Sequence, residues 1–482
     1  MSVSLRILFV SAEAAPYAKV GGLADVAGSL PQALAELGHD VRLALPLHGT
    51  IDRARWAIAG PVRTLEVPFG TRSASVAVHE AERADVRVLF YDNPELLGRG
   101  KVYGEPDDAR RFALFCRAVC EDAAGGEWRP DLVHAHDWHT ALIPQLLKQA
   151  FVAQLPNTGS VFTIHNLAYQ GTTKEHVLRL VGLKEDRLLI EKKRFGKQID
   201  PLARGIAFAD AVSTVSERYA EEILTPEFGE GLAELLEERH SDLYGIVNGI
   251  DVGLFDPSTD KSLVANYGVD DLEGKALCKE SLQEESGLAV DARAPLCGVI
   301  GRLVEQKGID ILTPVAPEIL RTGAQIVVLG TGEPSYEATW RELAARHRGN
   351  LSLTLRFDAA LAQRIYAGSD MFLMPSRFEP CGLGQLISFR YGTVPVVHAV
   401  GGLADTVRDA DAERRSGTGF SFREYAAAPL ADAVRRALRA YRDEVRWDAL
   451  RERVMRLDHS WNASAERYVE MYEAAREAKR AA

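Results

Sequence analysis

The chain has 482 residues, 46% of them apolar and 26% charged, an ordinary globular composition. At about 150 residues per domain the length suggests two to four domains. Against 57 Lys and Arg stand 68 Asp and Glu, a formal charge of −11; this argues against non-specific binding to nucleic acid or to an anionic membrane. No apolar run approaches the length of a membrane span. The first apolar run, "ILFV", is short and soon followed by Glu13, so it reads as a strand and not as a secretion signal. The five cysteines show no framework spacing and read as reduced, buried thiols of a cytoplasmic chain.

The N-terminal part alternates short apolar runs with helical patterns. "RILFVSAE" is a strand. Leu23, Val26, Leu30, Leu34 and Leu37 then recur at helical spacing up to Gly38. "DVRLALP", "DLVHAHDW", "SVFTIHN" and "AVSTVS" are further short runs, several ending in polar residues. The pattern restarts after "LYGIVNGID" with "PLCGVIGRL", "AQIVVLGTG", "LSLTLRF", "DMFLMPS" and "TVPVVHA". Such alternation implies α/β architecture with parallel sheets covered on both faces. We read residues 1–247 as one doubly wound domain, 248–457 as a second, and 458–482 as a terminal helix anchored by Trp461, Tyr468 and Tyr472. Ligands of open parallel sheets sit at the carboxyl ends of strands. Two such domains would therefore present two ligand edges to one cleft.

Polar residues collect at those strand ends. The hexapeptide "VGGLAD" occurs twice, at 20–25 and at 400–405. In the first copy Lys19, Gly21 and Gly22 stand between a strand and a helix. That is a phosphate cradle of backbone amides or simply a tight connection. In "GRLVEQKGID", Arg302 and Lys307 flank a strand–helix junction and suit a diphosphate, or else belong to a solvated loop. In "SRFEPCGLGQL", Glu379 precedes a glycine-rich helix start. Its carboxylate can accept from sugar hydroxyls, and the amides of residues 382–384 can face anionic oxygen. Around "HAHDWH" no cysteine or acid completes a clear metal set, so no metal is expected. Asp137 and Trp138 within it suit a sugar: a carboxylate for hydroxyls and a ring for a pyranose face. His165 and Asn166 end a neighbouring strand. Phe357 ends another and would stack on a base or fill the core.

Taken in order, "KVGGLADV", "HAHDWH", "FTIHNLAYQG", "NGID", "GRLVEQKGID", "SRFEPCGLGQL", "YGTVPVV" and "GGLADTV" resemble the bacterial glycogen synthases and plant starch synthases over nearly the whole chain. The resemblance implies a GT-B fold, two Rossmann-like domains facing a central cleft, with the last helix crossing back to the first domain. It implies transfer of glucose from ADP-glucose to the non-reducing 4-hydroxyl of an α-1,4-glucan such as glycogen, with retention and without a cofactor. It implies that Glu379, Lys307, Arg302 and His165 serve the reaction. Lys19, Gly21, Gly22, Asn248, Phe357, Cys381, Gly382 and Leu383 would line the donor, and Asp137, Trp138 and Tyr103 the acceptor. The chain departs from the family pattern at Val20, Gly384, His398, Ala399 and Val400, and within "KQIDPLARGI". Those departures leave open a related GT-B transferase with another nucleotide donor or a small acceptor, or a weakly catalytic glucan-binding homologue.

Overall fold

The computed structural model describes residues 4–481. It divides into two compact units. One runs to Gly249 and takes back the C-terminal helix from Trp461; the other is Ile250–Ser460.

In chain order the strands of the first unit are β1 (Arg6–Val10), β2 (Asp40–Pro46), β3 (Arg63–Phe69), β4 (Arg72–Arg83), β5 (Val86–Asp92), β6 (Leu132–His136), β7 (Gly159–Ile164), β8 (Thr173–Lys174), β9 (Gln198–Ile199), β10 (Ala211–Thr214) and β11 (Leu243–Gly245). Nine of them form one sheet, β11-β10-β7-β6-β1-β2-β5-β4-β3, and β8 and β9 pair separately. From β11 to β5 neighbours run parallel. Alternate residues of β1 enter different cores, Leu8 and Val10 one, Ile7 and Phe9 the other. Burial on both faces is why the strand reads as an unbroken apolar run.

The expectation of a purely parallel sheet fails at one edge. There β3–β4 and β4–β5 are antiparallel hairpins. Their connections are too short to cross over. Ala84 and Asp85 both have positive φ, 47° and 61°, the backbone of a tight primed turn that returns the strand beside itself. These strands face solvent in part, so their apolar residues alternate and no continuous run marks them.

The helix Trp461–Ala481 packs on the core that also holds the helix Gly22–Glu36. Trp461, Tyr468, Met471, Tyr472 and Ala475 are all buried there. Each large side chain contributes roughly 1.5–3 kcal/mol. Tyr472 Oη lies 2.8 Å from His134 Nδ1, and Ser464 donates to the Val247 carbonyl, so the tail is specified by polar as well as apolar contacts.

The "KQIDPLARGI" departure has a structural explanation. Asp200 caps the helix Pro201–Phe208 through the Ala203 amide. Arg204, fully buried, makes a 2.7 Å ion pair with the equally buried Glu191 and also donates to Gln145 and the Asp186 carbonyl. A paired, hydrogen-bonded charge is the form in which arginine tolerates the interior.

In the second unit β12 (Leu296–Ile300), β13 (Gln325–Leu329), β14 (Leu351–Thr354), β15 (Met371–Met374), β16 (Val394–His398) and β17 (Phe420–Phe422) form one parallel sheet in the order β14-β13-β12-β15-β16-β17. Its order reverses direction between β12 and β15. That switch point is where an open sheet offers a crevice at its carboxyl edge. Among the described residues no helix is long and apolar enough to cross a membrane.

Candidate active site

The carboxyl edge of the second sheet gathers Arg302, Lys307, Glu379 and the residue 381–383 segment. Lys307 ends a short 3-10 turn after β12, and Glu379 lies in the loop after β15. Their side chains meet: Lys307 Nζ is 2.6 Å from Glu379 Oε2, and Ser376 donates to the same oxygen at 3.0 Å. Glu379 is buried. Arg302, exposed, donates to Gln306 at 3.0 Å. Gly308 has a φ of 74°, and a Cβ there would meet the Pro375 carbonyl at 1.9 Å. The Lys307 turn is therefore seated directly on the loop leading to Glu379. Two cations and one carboxylate at a strand edge can hold a dianion and a hydroxyl-bearing ring side by side.

Cys381, Gly382 and Leu383 lead into the helix Gly384–Arg390. Cys381 is buried and its carbonyl accepts from Gln385. Gly382 has a φ of 72°, a backbone that disfavours side chains. At Gly384 a Cβ would come within 2.8 Å of the Phe372 ring, which accounts for glycine at this departure. Phe357 leaves 84% of its surface open. That excludes the core alternative for it.

The second "VGGLAD" supports this loop. Gly401 has a φ of 44°, and a Cβ on it would meet Glu379 O at 2.1 Å; one on Gly402 would meet Cys381 O at 2.1 Å. The Gly402 amide donates to the Glu379 carbonyl. His398, at a departure from the family pattern, spans two loops. Its ring nitrogens lie 2.8 Å from the Ser376 carbonyl and 3.1 Å from that of Arg423, and the ring stacks on Phe422.

The first "VGGLAD" is built differently, and here the expected anion cradle needs correction. The Val20 and Gly21 amides already donate to the buried Glu13 carboxylate, at 2.5 and 3.2 Å. Tyr103 donates to its other oxygen at 3.3 Å. Lys19 is paired with Asp25 at 2.6 Å. Strand β1 ends just before Glu13, so the chain delivers its own carboxylate beneath the turn. Burial raises the Glu13 carboxyl above its usual range, and the two amides only partly oppose this. Gly22 opens the helix. Glu13 is the residue that sequence reasoning missed. Its signal was its place, an acid just beyond a strand end, the same criterion that singled out Asp137.

Asp137 follows β6 with a φ of 54°. Its carboxylate accepts from the His165 amide at 2.8 Å and so ties the end of β6 to that of β7. Burial pushes its carboxyl up to about 7, against the lowering effect of the His165 and Asn166 amides. The unfolded chain releases this proton at a lower pH. Stability from this group is therefore present in acid and lost as pH rises through about 7. Asn keeps the accepting oxygen and tolerates the left-handed backbone. Asp137→Asn is accordingly expected to be the more stable protein at pH 8, with the difference vanishing at pH 4, in urea titrations at the two values.

Trp138 is half-buried. Its ring lies against His139 (centroids 4.1 Å) and edge-on to Phe112, and a Cβ at Gly171 would come 2.3 Å from it. Tyr103 stacks at a tilt on His139. His165 Nε2 is 2.9 Å from His136 Nδ1. Burial lowers His165 to about 3, so its imidazole is neutral and acts as a hydrogen-bonding group. Asn248, in the first unit, is buried with its side-chain oxygen unpartnered. Among the described residues no group of three or more His, Cys, Asp or Glu stands arranged to hold a metal ion.

Two doubly wound units whose parallel strands end in polar side chains have the architecture of a GT-B glycosyltransferase. The family model described as starch synthase catalytic domain matches residues 6–238, and that for glycosyl transferases group 1 matches residues 294–440. The chain is 45% identical to a glycogen synthase of Moorella thermoacetica over 100% of this chain and 99% of that one. It is 47% identical to one of Anaeromyxobacter dehalogenans over 97% and 99%. Among solved structures, the catalytic domain of starch synthase IV from Arabidopsis thaliana, bound to ADP and acarbose, superimposes with a TM-score of 0.94 at 34% identity, covering 98% of this chain and all of that one. A sucrose-phosphate synthase from Thermosynechococcus elongatus, at 19% identity and a TM-score of 0.61, shares the fold. The chain belongs to the glycogen and starch synthase family.

Proposed function

We propose that the protein transfers glucose from ADP-glucose to the non-reducing 4-hydroxyl of an α-1,4-glucan, with retention of configuration. The observation that carries the reading is the Lys307–Glu379 pair at 2.6 Å beside the Cys381 turn, in a chain related over its full length to glycogen synthases. Arg302 and Lys307 stabilise the diphosphate as it leaves. Glu379 accepts from hydroxyls of the transferred glucose. Phe357 offers an open ring to the adenine, and Asn248 and the backbone of Cys381, Gly382 and Leu383 complete the donor's surroundings. In the first unit Asp137, Trp138 and Tyr103 serve the glucan.

In the transfer the C1–oxygen bond to the diphosphate breaks and a bond from C1 to the acceptor oxygen forms on the same face. The acceptor hydroxyl gives its proton to the departing phosphate oxygen. This front-face route retains configuration without a protein nucleophile, and neutral His165 stabilises the sugar by hydrogen bonding.

Incorporation of labelled glucose into glycogen tests the reading. ADP-glucose is expected to support it and UDP-glucose to support it far less; the reverse order, or transfer only to free sugars, would overturn it. Phe357→Ala is expected to raise KM for ADP-glucose about tenfold, since stacking on a base is worth about 1–3 kcal/mol, with kcat within a factor of about three. An unchanged KM removes Phe357 from the donor site.

A further inference from the structure

Lys275, on the helix Glu273–Glu285, is buried and takes no part in the chemistry above. Its ammonium stands among four oxygens: the carbonyls of Ala367 (2.8 Å), Ser369 (3.0 Å) and Tyr391 (2.9 Å) and the hydroxyl of Thr393 (2.9 Å). The neighbouring acid, Asp370, is engaged by Lys279 at 2.8 Å. The cage is thus made of neutral oxygens. Two helices end in it. Ala367 lies in the last turn of the helix Ala359–Gly368 and Ser369 is its C-cap; Tyr391 is the C-cap of Gly384–Arg390. Carbonyls at helix ends lack intrahelical partners and carry partial negative charge, which a cation satisfies.

The opposite ends of the same helices bear donor-site residues. Asp358 caps the first, next to Phe357. Cys381, Gly382 and Leu383 lead into the second. We propose that Lys275 is a positioning residue for the nucleotide site: one buried ammonium ties the rear ends of two helices and thereby sets the spacing of their front ends. The inference rests on the donor reading given above. Tyr267, which donates to the Tyr391 carbonyl at 2.8 Å, closes the cage on another side. Three carbonyls and a hydroxyl also form a site that a small free ammonium can enter once the lysine chain is shortened.

The test is calorimetric binding of ADP to the full chain. The wild type is expected to bind ADP; if it does not, the donor reading itself fails. Lys275→Met, which keeps the bulk and removes the charge, is expected to weaken ADP binding roughly tenfold. Lys275→Ala is expected to regain affinity on addition of n-butylammonium but not of tetramethylammonium, which is too bulky and has no N–H. Unchanged ADP affinity in Lys275→Met with a lowered Tm would reduce Lys275 to a structural residue and overturn the proposal, as would amine rescue of Tm without rescue of ADP affinity. If Lys275→Met does not fold, Thr393→Val removes one of the four oxygens at nearly constant shape. Weakened ADP binding in that variant supports the proposal and wild-type affinity overturns it.

Discussion

Lys307→Ala is expected to lower kcat for glucose transfer by about 10²–10³-fold, the usual consequence of removing one preorganised donor from a site of developing negative charge. Two effects act together. The departing diphosphate loses a cation, and the buried Glu379 carboxylate loses its 2.6 Å partner and keeps only Ser376. A buried acceptor deprived of its charge-assisted donor costs more than the pair contributed. Lys307 is itself about a quarter exposed, so water can enter and the fold survives. The check is steady-state transfer of labelled glucose together with the Tm. Arg302→Ala is expected to behave alike in turnover, without disturbing Glu379. Near-normal kcat in either variant would sink the leaving-group assignment.

The two copies of "VGGLAD" are expected to respond unequally to alanine. In Gly401→Ala, at the position equivalent to Gly21, the new Cβ would lie 2.1 Å from Glu379 O and φ is 44°, so backbone must move. Overpacking of this kind costs about 1–3 kcal/mol. A shift of about 1 Å in the residue 379–381 segment should cost about 10²-fold in kcat. In Gly21→Ala the new Cβ meets nothing nearer than Glu13 Oε1 at 3.6 Å, and the backbone there is extended, with φ −140°. Stability is expected to change by less than about 0.5 kcal/mol. Thermal unfolding of both variants checks this. Equal losses would mean that the first turn is as tightly seated as the second.

Much of the second unit was legible in advance. Its strands are buried on both faces, so each reads as an apolar run, and the polar residues that follow them fall at the carboxyl edge where Arg302, Lys307 and Glu379 are found. The antiparallel edge of the first sheet was not legible. Its strands are half solvated, and its β4–β5 turn depends on positive φ at Ala84, a residue type that carries no turn signal. Nor was the pairing of Lys307 with Glu379, which lie 72 positions apart and were assigned to different parts of the donor.

By itself the sequence determined the two-unit α/β plan, the family and the strand-end positions of the candidate side chains, because hydrophobic periodicity and local motif spacing are properties of short segments. Only the tertiary structure decided what each of those side chains touches. Glu13 reaches the amides that the sequence reading offered to a phosphate, identical hexapeptides become an open turn and a tight one, and Lys275 closes a cage of four oxygens. Those outcomes depend on distances between segments remote in the chain, and hydrogen bonds and steric overlap act only across such distances.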